Sequence, residues 1–210
     1  MNGLLKLLIC AVIIFAYPSY CSIRDALREE QYFVIGETPI FLPKYAFRFA
    51  SQHEGKTTFV KTYIDKVDQN VWTEYLRDEG RSWQVIEVWV KNIHTENTYL
   101  EMLESLKQHG VKKYMSEFDL VSYGYGMKER AFFFPAEEYG RNAYITCWST
   151  PPNYTAFYLC RGGFFYEGLT VDFFFEKYEL KKWRQYFDGV TRFVEEIVED
   201  GQNERMVRGN

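Results

Sequence analysis

The sequence predicts an α+β fold: an antiparallel β-sheet with a mid-chain helix and a long C-terminal amphipathic helix packed on one face. Three observations predict it. Short runs rich in β-branched and aromatic residues follow one another in hairpin-like succession, as in an antiparallel sheet. Among them, one stretch from Thr98 to Gly110 repeats its apolar residues at helical intervals. Beyond them Leu180, Trp183, Phe187, Val190, Val194 and Ile197 step by three and four residues, which lines one side of a helix over about five turns.

Each element has its own signal. At the start, Lys6 precedes an apolar run from Leu7 to Tyr17, followed by Pro18, Ser19 and Cys21. That run is roughly half of the ~20 residues a membrane-spanning helix needs, so residues 1–21 are expected to be a cleavable export leader. Ser19 and Cys21, small residues at the third and first positions before Ser22, place the cut after Cys21, with Ala16 as the alternative. Tyr20 before Cys21 and Ile9 before Cys10 stand where a lipoprotein needs a small residue, which argues against a lipid anchor. A single domain is expected over 22–200, since a chain of that size can bury a substantial core, with a disordered tail at 201–210.

Asp25 to Glu30 is polar and reads as a short helix or a lead-in. Tyr32 to Ile35 and Ile40 to Leu42 flank Gly36-Glu37-Thr38-Pro39 and predict an opening hairpin. Tyr45, Phe47 and Phe49 continue in extended form, and Thr57 to Ile64 is a strand. Asp65 to Ser82, charged and containing Gly80, is a surface connection with at most a helical turn at Trp72 to Leu76. In Trp83 to Val90, Gln84, Ile86, Val88 and Val90 share one face while Trp83, Val85, Glu87 and Trp89 share the other. Thr98 with Glu101 has capping-box spacing at the start of the mid-chain helix, Tyr99, Met102, Leu103 and Leu106 form its apolar side, and Gly110 ends it. Strands are expected at Glu117 to Val121, Arg130 to Phe134, Ala143 to Trp148, Tyr154 to Cys160 and Leu169 to Phe175.

The chain carries 25 basic and 29 acidic residues, and only Lys6 of these falls in the leader. The negative balance argues against nucleic acid and against an anionic membrane, both of which recruit Lys and Arg clusters. Cys147 and Cys160 are the cysteines left after the leader, and an oxidising compartment predicts a disulfide between them. A hairpin through Pro151, Pro152 and Asn153 brings them side by side.

The sequence encodes no reaction. His53, His94 and His109 stand at no ligand or triad spacing, and the common zinc-protease, nucleophile-elbow, phosphate-loop and dinucleotide patterns are absent. No metal and no cofactor is expected. Glu137 and Glu138 after Pro135, and Asp172 on a strand, are the carboxylates a signature-free hydrolase could use, although Asp172 alternates with Thr170 and Phe174 as on an exposed sheet face. Glu195, Glu196, Glu199 and Asp200 lie on the solvated side of the last helix. Arg161-Gly162-Gly163, like Gly124 and Gly126, reads as turn or bulge. Asn153-Tyr154-Thr155 is a glycosylation sequon, relevant only to a eukaryotic secretory route. One feature leans toward binding: Trp83, Val85 and Trp89, with Tyr123 and Tyr125, form an apolar patch if no helix covers them, and aromatic anchors dominate interfaces. The competing reading is that a helix packs over this face.

The opening hairpin from Tyr32 to Tyr45, the strand Gly168-Leu-Thr-Val-Asp172 and the final helix bearing Trp183 together resemble small exported bacterial proteins of the periplasmic immunity type. The likeness is one of layout over most of the mature chain, and it transfers no functional residue. It implies a non-catalytic protein, periplasmic or secreted, that covers the active site of an envelope-attacking enzyme, for which an acidic surface suits a basic target. The first expectation is therefore an exported binding protein of inhibitor or immunity type. Its partner is a secreted effector or envelope protein, not nucleic acid, and no stable membrane anchor remains after leader cleavage. The alternatives are a motif-poor secreted hydrolase working through carboxylates and an envelope structural or assembly factor.

Overall fold

The computed structural model of the chain describes residues 31–43, 46, 48–53, 56–66, 85–108, 111–124, 130–135, 142–148 and 159–209. The expected leader lies outside these residues, as do the 67–84 connection, Trp83, Tyr125, His109, Gly110, Glu137, Glu138 and the sequon at Asn153. Tyr32–Asn210 is one compact unit.

Eleven strands and two long helices are seen among the described residues: β1 Tyr32–Ile35, β2 Thr38–Phe41, β3 Arg48–His53, β4 Lys56–Asp65, β5 Val85–Lys91, α1 Glu96–Gln108, β6 Val111–Met115, β7 Leu120–Gly124, β8 Arg130–Pro135, β9 Tyr144–Trp148, β10 Leu159–Tyr166, β11 Leu169–Glu176 and α2 Trp183–Arg208, the last preceded by a 3-10 turn at Lys177–Lys182. One sheet holds them in the order β2-β1-β4-β5-β11-β10-β9-β8-β7-β6, with β3 on β4. Every pairing is antiparallel except a single parallel contact of Ile35 with Thr57 between β1 and β4. This is the α+β class that the alternation and the two helical stripes predict.

The connectivity explains where the helices lie. From β5, in the middle of the sheet, the chain must reach β6 at the far edge, six strand spacings or about 29 Å away. α1, about 20 Å long, makes that crossing over one face. The chain then returns strand by strand from β6 to β11, which inserts beside β5. α2 leaves β11 and runs over the other face, so the two helices take opposite faces rather than sharing one.

α2 covers the larger core. Leu180, Trp183, Phe187, Val190, Val194 and Ile197, the stripe read from the sequence, are all buried against Val60, Ile64, Val88, Val90, Phe164, Val171 and Phe173. Phe187 sits edge-on to Phe173 at 4.7 Å between ring centres, and the Trp183 indole donates to the Phe118 carbonyl at 2.7 Å. Under α1 a second cluster joins Tyr99 and Leu103 to Phe132, Phe134 and Tyr144. Alternation along each strand divides the cores: Phe133, Ile145 and Phe164 face α2, while Phe132, Tyr144 and Phe165 face α1.

Several local expectations change. The tail expected at 201–210 is helix through Arg208, because Gly201 lets α2 sit on β2 and Arg205 donates to the Glu37 carbonyl at 2.9 Å. A left-handed Gly209 (φ 73°) closes it. α1 starts one turn earlier than the Thr98 box implies: Thr95 accepts from the Thr98 N–H at 3.3 Å. β6 had no apolar run to announce it, and the Glu117 to Val121 strand begins only at Leu120, after a turn in which Asp119 has φ 54°. Gly162 and Gly163 form no turn. They lie inside β10, where a Cβ would stand 2.2 Å from the Phe173 ring and 2.6 Å from the Tyr144 ring.

Candidate functional site

On the face of the sheet opposite α2, α1 packs over the β8, β9 and β10 side, and among the described residues no helix lies over β4, β5 and β11. β-register fixes which side chains share that face. Asp172 pairs with Trp89 and with Gly163, and Gly163 pairs with Tyr144, so Trp89, Asp172 and Tyr144 point the same way. Tyr123 pairs with Phe132, and Phe132 with Thr146, which puts Tyr123 on this face too.

Trp89 is the centre of the open part. Its ring is stacked with Phe59 at 5.9 Å and tilted against Phe174 at 5.3 Å, contacts worth about 0.5–1.5 kcal/mol each beyond area burial. Lys61 and Lys91 approach the ring at 5.8 Å and 5.6 Å, within cation–π range. The indole N–H donates to Glu87 Oε1 at 2.6 Å. Glu87 Oε2 accepts from Tyr63 at 3.2 Å and pairs with Lys61 at 2.6 Å. Burial works against the Lys61 ammonium, but hydrogen bonds to Glu87 and Tyr63 and the nearby Glu87 charge outweigh it and raise its pKa. The indole is thus held in one orientation, half-buried, by Glu87 and Lys91 of its own strand, Lys61 of β4 and the Phe174 ring of β11.

Asp172 departs from the expectation of an exposed sheet-face carboxylate. It is 2% exposed and forms an ion pair with Lys91, with Arg161 Nε 3.8 Å from its other oxygen. Gly163 beside it carries no side chain, and the Tyr144 ring closes over the gap. A carboxylate neutralised by Lys91 and shut off from solvent is unsuited to proton transfer with a substrate. Thr146 and Thr170 on the same face are buried as well.

Cys147 and Cys160 stand opposite each other in the β9–β10 register and form the expected disulfide, with Cα atoms 4.1 Å apart. Both face α2 and are buried, so the bridge is part of the core. Trp89 and Tyr123 share a face, but four strands lie between them, about 24 Å, with the α1 cluster in the interval. Tyr123 packs edge-on against Phe134 at 5.4 Å and belongs to that cluster. Trp83 and Tyr125 lie outside the described residues. The sequence reading missed Phe59, Lys61, Lys91 and Phe174; alternation in the β4, β5 and β11 runs was the signal that could have found them. Among the described residues no group of His, Cys, Asp and Glu side chains is arranged to hold a metal ion, and no helix is long and apolar enough to cross a membrane.

No family model matches the sequence, and no curated protein matches it. Solved structures do. The chain is similar to Smlt3025, an immunity protein of the Stenotrophomonas maltophilia type IV secretion system, at 13% identity and TM-score 0.56, over 79% of this chain and 92% of that one. It is also similar to FrpD, an iron-regulated outer membrane lipoprotein of Neisseria meningitidis, at 14% identity and TM-score 0.51, over 82% of this chain and 94% of that one. At these identities the likeness is one of fold, and the layout that the sequence resembles is the layout of a solved immunity protein.

Proposed function

We propose that the protein is an exported, non-catalytic binding protein of the immunity type, which occupies a secreted effector or envelope protein through the open sheet face around Trp89. The observation that carries this reading is the construction of that face: a half-buried indole, flanked by Phe59 and Phe174 and ringed by Lys61, Glu87 and Lys91. A rigid aromatic anchor with a charged surround is what interface hot spots use, and its place on a sheet avoids the ordering cost of a loop. The folds of Smlt3025 and FrpD, an immunity protein and an envelope lipoprotein, support this role and an envelope location. The hydrolase alternative loses Asp172, which is buried and ion-paired.

The test is capture. The mature chain from Ser22, made in an oxidising compartment with its disulfide, serves as bait for the secreted and envelope proteins of its own host. A single stoichiometric enzyme partner that loses activity on binding is the expected result, and Trp89→Ala weakens it about thirtyfold or more, since a central aromatic anchor is worth 2 kcal/mol or more. Recovery of no partner, or a partner that binds Trp89→Ala as tightly as the parent, overturns the reading.

A further inference from the structure

Among the described residues β6 is the last strand of the sheet at its far edge. Its first four residues are exposed and the fifth half-buried, with Val111 80% and Tyr114 57% exposed. One side of its backbone is engaged with β7, from Val111 opposite Gly124 to Met115 opposite Leu120. Among the described residues no strand lies on its other side, where half of its N–H and C=O groups point outward. Its contribution to the main core is confined to Met115. The opposite edge of the sheet is different in kind: β2 lacks a donor at Pro39, and α2 lies against it at Gly201.

The side chains of β6 say what it fits. Lys112 and Lys113 are consecutive and so project from opposite faces of the strand. Neither has an acidic partner among the described residues, although the chain as a whole carries a net charge of −4. An antiparallel second copy centred on Lys112 or Lys113 would set lysine against lysine, which destabilises a cross-strand pair, so in those registers the edge is guarded against itself. A strand bearing carboxylates on both faces meets no such penalty.

We infer that the β6 edge receives an extended acidic segment of the protein partner by strand addition, with main-chain hydrogen bonds supplying affinity and the two lysines supplying selectivity. This rests on the binding-protein reading but on a surface separate from Trp89. The test needs no knowledge of the partner. Two synthetic octapeptides, one repeating Val-Glu-Glu-Val and one repeating Val-Lys-Lys-Val, so that each carries its charges on both faces of an extended strand, are added to the mature chain, and backbone amide exchange is followed by mass spectrometry. At saturation the acidic peptide slows exchange across residues 111–115 about tenfold, the effect fading towards about 0.5 M salt, while the basic peptide does nothing. K112E/K113E reverses the preference. Protection by neither peptide, or by both alike, overturns the inference. So does a concentration-dependent dimer that Val111→Pro abolishes, because the edge then belongs to a second copy. A captured partner that depends on Trp89 but leaves β6 exchange unchanged overturns the strand addition alone and leaves the function standing.

Discussion

Lys66, at the end of β4, reaches two carboxylates that the sequence keeps far away: it forms an ion pair with Glu176 and meets Glu179 at 2.9 Å, 113 residues on. Burial by itself would raise the Glu179 carboxyl, but the Glu176, Lys66 and Tyr186 side chains beside it, with the Lys66 charge, hold it down at about 2 against an ordinary 4.5. A depressed folded value means that the charged form stabilises the fold. That stabilisation is complete above pH 4.5 and is lost as the pH falls from there towards 2, where the folded carboxylate takes up its proton. Glu179→Gln is therefore expected to cost about 1–3 kcal/mol at neutral pH and to flatten the acid limb of the stability curve, as read by urea unfolding across that window. A variant whose acid limb matches the parent's would remove Glu179 from the account. None of this was legible in the sequence, since nothing local links Lys66 to Glu179. Asp172 teaches the same lesson: alternation put it on the correct face, but its burial depends on Lys91, Arg161 and the missing side chain of Gly163, which only the register assembles.

At the scale of the element, the long helix was read correctly where its apolar side repeats and missed where that repeat stops. Beyond Val198 the helix is held by close approach rather than by large side chains. A Cβ at Gly201 would lie 2.5 Å from the Pro39 carbonyl oxygen and 2.6 Å from the Ile40 backbone, so no larger residue leaves α2 seated on β2. Further along, Arg205 donates to the Glu37 carbonyl and Arg208 lies over the Tyr32 ring at 4.7 Å. These contacts reach the opening hairpin from the far end of the chain, and apolar periodicity cannot report them. Gly201→Ala decides between two effects. In an isolated helix alanine gains about 1 kcal/mol over glycine, whereas a clash with backbone that cannot swing aside costs about 1–3 kcal/mol. The expected outcome is a net loss of stability, with exchange quickening first at the β1–β2 hairpin. A variant more stable than the parent would show that α2 is free to lift from β2. β6 escaped notice for a related reason: an edge strand exposed on both faces carries no alternation to read, and its lysines read as loop.

At the scale of the molecule, the sequence contained the class, the two helices and the cysteine pairing, but not the assignment of faces. Faces follow from strand order, and strand order depends on where the chain goes after β5, which local pattern does not encode. A fold shared with an immunity protein at 13% identity fits this picture, since layout can persist through alternation and helix length while the individual side chains change. The disulfide sits where the layout is most dependent on one pairing. β10 and β9 are the middle of the path joining the β4–β5–β11 half of the sheet to the β8–β7–β6 half, and the bridge spans 13 residues between their facing positions. In the chain-entropy model a loop of that size contributes about 3 kcal/mol. The register has other supports, because Ile145 and Phe164 are buried under α2 while Tyr144 and Phe165 pack on the other face. Replacing both cysteines with serine is accordingly expected to lower stability by about 3 kcal/mol and still leave a folded protein. Urea unfolding should show a lower midpoint with an unchanged slope. A reduced slope would mean that the two halves unfold separately once the bridge is gone, so that the disulfide, rather than the packing on either side of it, makes the sheet a single cooperative body.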